Sequence, residues 1–363
     1  MSLAYSMPST MPGASPNSFC QKKLGLSLPT VSTGLRTLEK QGFIVRRGSY
    51  ASTGGRPAAA YEFVPNARFA VGIELAATHV HVAVVDLYGN VLARHEEQMS
   101  FQRTDTYACQ LGRFVDKSVA ECQGLPHSLL GATIAIQGIV GDENRVSFGG
   151  LLGADNAQVS LDDFAPHLPG QLRFVHDAEA AAFAELWRHR ELQDFTYLSL
   201  NNHLGSASIS HGSLLHGGPL GAGVAEHMVL RPGGKNCYCG GKGCAETVLS
   251  VQSLEQRAHL PLDEFVKRLR TGDGGCARLW DSYLSDLALL IHNVRMVNCA
   301  DLMLGGRLAR HLSDADPRIL KTYASQHGTL ANTPFRLMRG QYGDKATVVG
   351  AGLILVDESL RPA

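Results

Sequence analysis

Long apolar runs are missing from this 363-residue chain: none reaches the roughly 18 residues that a membrane-spanning helix needs. An integral helical membrane protein is therefore excluded. Residues Met1 to Ser18 are rich in Ser, Pro and Met, without the basic start and apolar middle of a signal peptide. A disordered leader is expected over 1–18. Cysteine is scarce, and five of the eight (Cys20, Cys109, Cys122, Cys276 and Cys299) lie far apart. With the other three clustered and no export signal, a reducing cytoplasm is the expected compartment. Net charge is absent, at 33 basic against 33 acidic side chains. The 44% apolar content is that of a soluble globular protein, and the length calls for two or three domains.

The zero net charge conceals a partition. Residues 1–60 hold Lys22, Lys23, Arg36, Lys40, Arg46, Arg47 and Arg56 against a single acid, Glu39, so this segment is +6 and the remaining 303 residues are −6. A compact basic module on an acidic body suits polyanion binding. Within it, Ser27 can cap a helix and Pro29 fits its first turn. Val31, Leu35 and Leu38 recur at helical spacing to form one buried stripe, and Gly42 is the stop. Thr30, Thr33, Arg36, Thr37 and Lys40 then face outward, hydroxyls before cations, as a helix reading base edges requires. Phe43–Arg47 and Ala59–Phe63 read as two strands joined by a wing. There Gly54 and Gly55 precede Arg56, a pattern that lets a guanidinium enter a narrow minor groove.

The densest chemical signal comes later. Cys237, Cys239 and Cys244 fall within eight positions, with His227 ten residues upstream and Glu246 just after. Three thiols and an imidazole form a complete tetrahedral set for zinc, with no position left for water, which predicts a structural site. Gly240, Gly241 and Gly243 are expected to supply the positive φ values of a tight reversal.

The pattern His-x9-Cys-x-Cys-Gly-x-x-Gly-Cys-x-Glu resembles the signature of the ROK family, which unites bacterial repressors and sugar kinases. The N-terminal segment, with Pro29-Thr-Val-Ser32 and Gly54-Gly-Arg-Pro57, resembles the winged helix-turn-helix of the family's repressor branch. The resemblance implies an α/β protein: a winged helix-turn-helix over 19–65, then a two-lobed actin-like (ribonuclease H-like) ATPase domain with a zinc-binding loop. The first lobe would span 66–190 and regain the C-terminal segment 345–363; the second would span 191–344 and carry the zinc loop 227–246. Strands alternating with helices in two halves agree with such α/β layers.

In family kinases the segment Asn-Asp-x-Asn-Ala-Ala carries the aspartate that deprotonates a sugar hydroxyl. Here Asp177 is kept and His176 replaces the first Asn. The resemblance thus implies a sugar or sugar-phosphate effector held by His176, Asp177, His227 and Glu246, with Asp177 catalytic only in a kinase. The phosphate loops depart from the kinase pattern. Asp-x-Gly-Gly-Thr becomes Glu74-Leu-Ala-Ala-Thr78, and Gly-Thr-Gly-Ile-Gly-Gly-Gly becomes Asn201-Asn-His-Leu-Gly-Ser-Ala207. The added Cβ atoms hinder backbone amides from approaching phosphate. The expected function is a DNA-binding regulator of carbohydrate metabolism, a repressor with a kinase-like sensor that lacks phosphate-binding loops. Its expected partners are operator DNA, a sugar, a second copy in a homodimer or dimer of dimers, and a transport protein. The alternative is an ATP-dependent kinase of hexose or N-acetylhexosamine with an appended DNA-binding module.

Overall fold

The computed structural model describes residues 25–49, 59–122, 128–140, 145–147, 159–215, 224–326 and 333–361. The expected leader, Arg56, and the segment from Gly150 to Gly153 lie outside them.

The described chain begins with helix α1, Leu28–Lys40. Its cap is the Ser27 hydroxyl, which accepts from Thr30 N, and Pro29 occupies the first turn, where its missing N–H costs nothing. Val31 and Leu35 are buried against Ile44, with Leu38, Tyr61 and Phe63 around them. Strands β1 (Ile44–Ser49) and β2 (Ala59–Phe63) form an antiparallel hairpin in which Ile44 faces Phe63.

Two five-stranded sheets follow, built on one plan. In the first, β3 (Arg68–Leu75), β4 (Val80–Asp86) and β5 (Val91–Glu97) form an antiparallel meander. After helix α2 (Asp105–Ala120), β6 (Ser128–Ile136) joins parallel to β3. Three short strands, β7 (Ile139–Val140), β8 (Arg145–Ser147) and β9 (Val159–Ser160), make a small side sheet. Then β10 (Gln171–His176) joins parallel to β6 and runs directly into helix α3, Asp177–Arg188.

The second sheet repeats the order. Strands β11 (Phe195–Leu200), β12 (Leu204–Ser210) and β13 (Ser213–Leu214) are antiparallel. Helices α4 (Glu246–Leu249), α5 (Val251–Ala258), α6 (Leu262–Arg270) and α7 (Gly274–Val297) precede parallel β14 (Asp301–Gly305). Helix α8 (Asp316–Ser325) leads to β15 (Leu337–Arg339), parallel to β14. The last helix, α9 (Ala346–Leu360), returns to pack on α3 and on β3, β4 and β6.

The core has three layers. Helix α2 covers the outer face of the first sheet, and α4 to α8 cover that of the second. Between the sheets lie α3 and α9, whose small residues join both inner faces in one apolar cluster with Ala70, Val85, Phe195, Tyr197 and Met303. The approach is at backbone level: a Cβ on Gly350 would collide with the Ala180 carbonyl, and one on Gly72 with that of Val348. The Ala-rich stretch of α3 is therefore dictated by how closely its neighbours lie, more than by helix propensity.

Candidate ligand cleft and metal site

The junction of β10 and α3 presents His176 and Asp177 side by side, with His176 Nε2 3.5 Å from Asp177 Oδ1. Asp177 is the first residue of α3 and accepts from Ala178 N at 2.7 Å, so its charge also meets the positive end of the helix. Glu226 is buried in the same cluster and accepts from the Ser206 hydroxyl at 2.7 Å. Burial opposes protonation of His176, but Asp177, Glu226 and Glu179 outweigh it and raise its pKa above the ordinary histidine value. Burial likewise raises the Glu226 carboxyl. Val224 is exposed, and the acid two places on, Glu226, turns inward.

Glu246 is held by the hairpin between β11 and β12. It accepts from Leu204 N at 2.7 Å through one oxygen and lies 2.8 Å from His203 Nδ1 through the other. Each oxygen keeps a further lone pair. Tyr238, between Cys237 and Cys239, lies beside this pair, its ring 5.9 Å from His203 and 5.1 Å from His227.

The four expected metal ligands come together: one donor atom each from His227, Cys237, Cys239 and Cys244 lies within 4.8 Å of the others. Tetrahedral zinc, with bonds of about 2.3 Å to sulfur and about 2.0 Å to nitrogen, separates two thiolates by roughly 3.8 Å and a thiolate from an imidazole by roughly 3.6 Å. The Cys239–Cys244 sulfur separation is 3.7 Å, and Cys237 Sγ lies 3.6 Å from His227 Nδ1. These sulfurs are far beyond the ~2.05 Å of a disulfide. Burial pushes the Cys237 thiol up to about 12, a penalty that a bound dication would remove. With Nδ1 among the thiols, the other ring nitrogen of His227 is left for a ligand.

The turn differs from expectation at one glycine. Gly240 and Gly243 have positive φ (88° and 70°), whereas Gly241 does not. A Cβ on Gly241 would sit 3.4 Å from both Cys239 Sγ and Cys244 Sγ, so its bareness leaves space beside the thiols.

The two altered phosphate loops are filled from within. Glu74 lies 2.9 Å from His81 Nδ1, and His81 Nε2 lies 3.3 Å from Glu96, a row across β3, β4 and β5. Asn201 accepts from Arg307 N at 2.7 Å and donates to Ser199 at 3.0 Å. Glu74 and Asn201, in the two segments that depart from the kinase pattern, are thus bonded to the protein's own side chains and amides.

On α1, Thr30, Thr33, Arg36 and Lys40 are all exposed. Thr30 Oγ1 contacts the Ser27 cap at 2.8 Å, and Thr37 returns its hydroxyl to Thr33 O at 3.1 Å. Sequence reasoning missed His203, Ser206 and Tyr238 and left Glu226 out of the effector set. A carboxylate one residue before the metal histidine was the available signal.

Comparison with known proteins agrees with this architecture. The xylose repressor of Bacillus subtilis (strain 168) is 21% identical over 352 residues, covering 93% of this chain and 89% of that protein. The DNA-binding transcriptional repressor Mlc of Escherichia coli (strain K12) is 22% identical over 323 residues, covering 84% and 80%. Among solved structures, a ROK family transcriptional regulator described as a homolog of E. coli MLC superposes with a TM-score of 0.78 at 17% identity, covering 98% of this chain and 94% of that one. A ROK family glucokinase from Streptomyces griseus, in complex with glucose and AMPPNP, gives 0.66 at 19% identity, covering 79% and 98%. The actin-like, sugar-kinase-type fold is shared with both. The ROK family model matches residues 70–358, and the chain belongs to the ROK family.

Proposed function

We infer that the protein is a sugar-responsive transcriptional repressor in which a kinase-type domain serves as sensor. Residues 19–65 are read as a winged helix-turn-helix: α1 enters the major groove through Thr30, Thr33, Arg36 and Lys40, and the segment bearing Arg56 reaches the minor groove. A sugar lies against His176, Asp177, His227 and Glu246, with Glu226 behind them. Zinc on His227, Cys237, Cys239 and Cys244 crosslinks the loop that presents His227 and Glu246, and so stiffens one wall of the cleft.

The observation that carries this reading is helix α3. Its first residue is Asp177, and ten positions on, about 15 Å along the axis, Trp187 Nε1 donates to Tyr88 O. The Tyr88 ring meets Phe63 of the β1–β2 hairpin edge-on at 5.0 Å. Arg68, at the start of β3, donates to Gln41 O at the end of α1 and lies over the Phe43 ring. One rigid element thus spans from the cleft to the base of the DNA-reading module. Two copies would set two recognition helices across a palindromic site, and sugar binding would change their spacing. A transport protein as a second controller and residence in the cytoplasm belong to the same reading.

The test is fluorescence anisotropy with DNA from the region upstream of the chain's own gene, over a salt series and a sugar panel. Sequence-selective, salt-sensitive binding weakened by one sugar is expected. Absence of selective binding at micromolar protein would discard the reading. Turnover of ATP with a hexose, abolished by Asp177→Asn, would establish the kinase alternative.

A further inference from the structure

A groove with a cavity volume of about 650 Å³, sharing no lining residue with the cleft, runs between α2 and the chain that continues β5. One wall is Glu97, Gln98, Ser100 and Gln102; the other is Thr106, Gln110, Arg113 and Lys117, spaced to share a face of α2. Met99, Tyr107 and Phe114 form the floor.

Two observations converge on it. Strand β5 is the last strand of its sheet, and among the described residues no strand pairs with its outer edge. Met99 N and Phe101 N donate inward, to Thr78 O and Ala77 O. Gln98 and Ser100, on either side of Met99, have no hydrogen-bond partner among the described residues, which leaves their backbone N–H and C=O groups to be paired. Second, Arg113 and Lys117 have no carboxylate partner among the described residues, Arg113 reaching only Cys109 Sγ at 3.4 Å.

An unpaired strand edge facing a helix, with polar side chains along both walls, is the geometry for accepting an extended peptide as one more strand. Main-chain bonds to Gln98 and Ser100 supply affinity, and side chains alternating toward α2 supply selectivity. The volume holds about five residues of strand. Two unneutralised cations against the single Glu97 select for acid. We propose that this groove binds an extended, acidic peptide segment of a partner protein by strand addition, at a site separate from the sugar cleft.

The experiment selects a randomised heptapeptide phage library on the full-length protein, and in parallel on the R113E/K117E double variant, whose exposed substitutions are checked by thermal melting. The expected result is a consensus containing Asp or Glu on the wild type that is lost on the double variant. The synthetic consensus peptide is then expected to slow amide exchange at Gln98 and Ser100 in the wild type and not in the double variant. No enrichment, a consensus lacking acids, or equal enrichment on the double variant overturns the proposal. So does stabilisation by inorganic phosphate through Arg113 and Lys117 without any peptide. None of these readouts depends on sugar or DNA binding.

Discussion

Trp187 donates its indole N–H to the carbonyl oxygen of Tyr88 at 2.9 Å, while Arg190 lies 4.0 Å over the Trp187 ring. This bond ties the far end of α3 to the β4–β5 turn on which the β1–β2 hairpin rests. Trp187→Phe removes the donor and keeps an aromatic ring. Its stability cost is expected near 1 kcal/mol, the usual worth of one hydrogen bond. DNA affinity without sugar is expected to stay within about twofold, whereas the sugar-induced drop shrinks toward none. Paired anisotropy titrations with and without sugar measure both.

Removal of a zinc ligand has a separate signature. Loss of an outer partner costs about 10–100-fold in metal affinity, and loss of a thiolate itself is expected to exceed that. Cys239→Ser should lower bound zinc below one ion per chain and reduce the melting temperature, as checked by elemental analysis and calorimetry.

Two histidines give a pH dependence of defined sign. His176 and His81 both have raised pKa values; at each, burial is outweighed by carboxylates, those around His81 being Glu74 and Glu96. Their stabilisation is complete below the unfolded value of about 6.5 and is lost as pH rises through the higher folded value. Melting curves of His81→Gln and His176→Gln should therefore converge on wild type with rising pH and diverge below it.

A ligand present at 100 times its Kd adds about 2.7 kcal/mol to stability. Magnesium-ATP at millimolar concentration is expected to add nothing measurable, because Glu74 and Asn201 of the two altered loops are already engaged by His81 and Arg307 N. The effector sugar is expected to stabilise. Thermal shift distinguishes the two outcomes directly.

Gly350→Ala places a methyl group against the Ala180 carbonyl. Overpacking of this kind costs about 1–3 kcal/mol, and the backbone partner cannot move aside as a side chain would. Denaturant titration checks the loss, which is expected at the upper end of that range.

Much of this was legible in the sequence because it is local. The donor cluster His227, Cys237, Cys239 and Cys244 declares itself by spacing, and β3 and β4 as apolar runs on either side of a turn. Counting outward from that turn pairs Glu74 with His81, so even this contact was within reach of the sequence. The engagement of Glu246 by His203 was not, because 43 residues separate them and the pairing depends on how the zinc loop folds over β12. The link from Trp187 to Tyr88 spans 99 residues and arises only when α3 is sandwiched between two sheets.

The backbone contact between Gly350 and Ala180 has a mechanical consequence. Helices that touch through main-chain atoms cannot slide past one another without a clash, yet they can turn about the point of touch. A bound sugar is then expected to turn the two halves about that crossing, with small angles there becoming larger displacements at the tips of the blades.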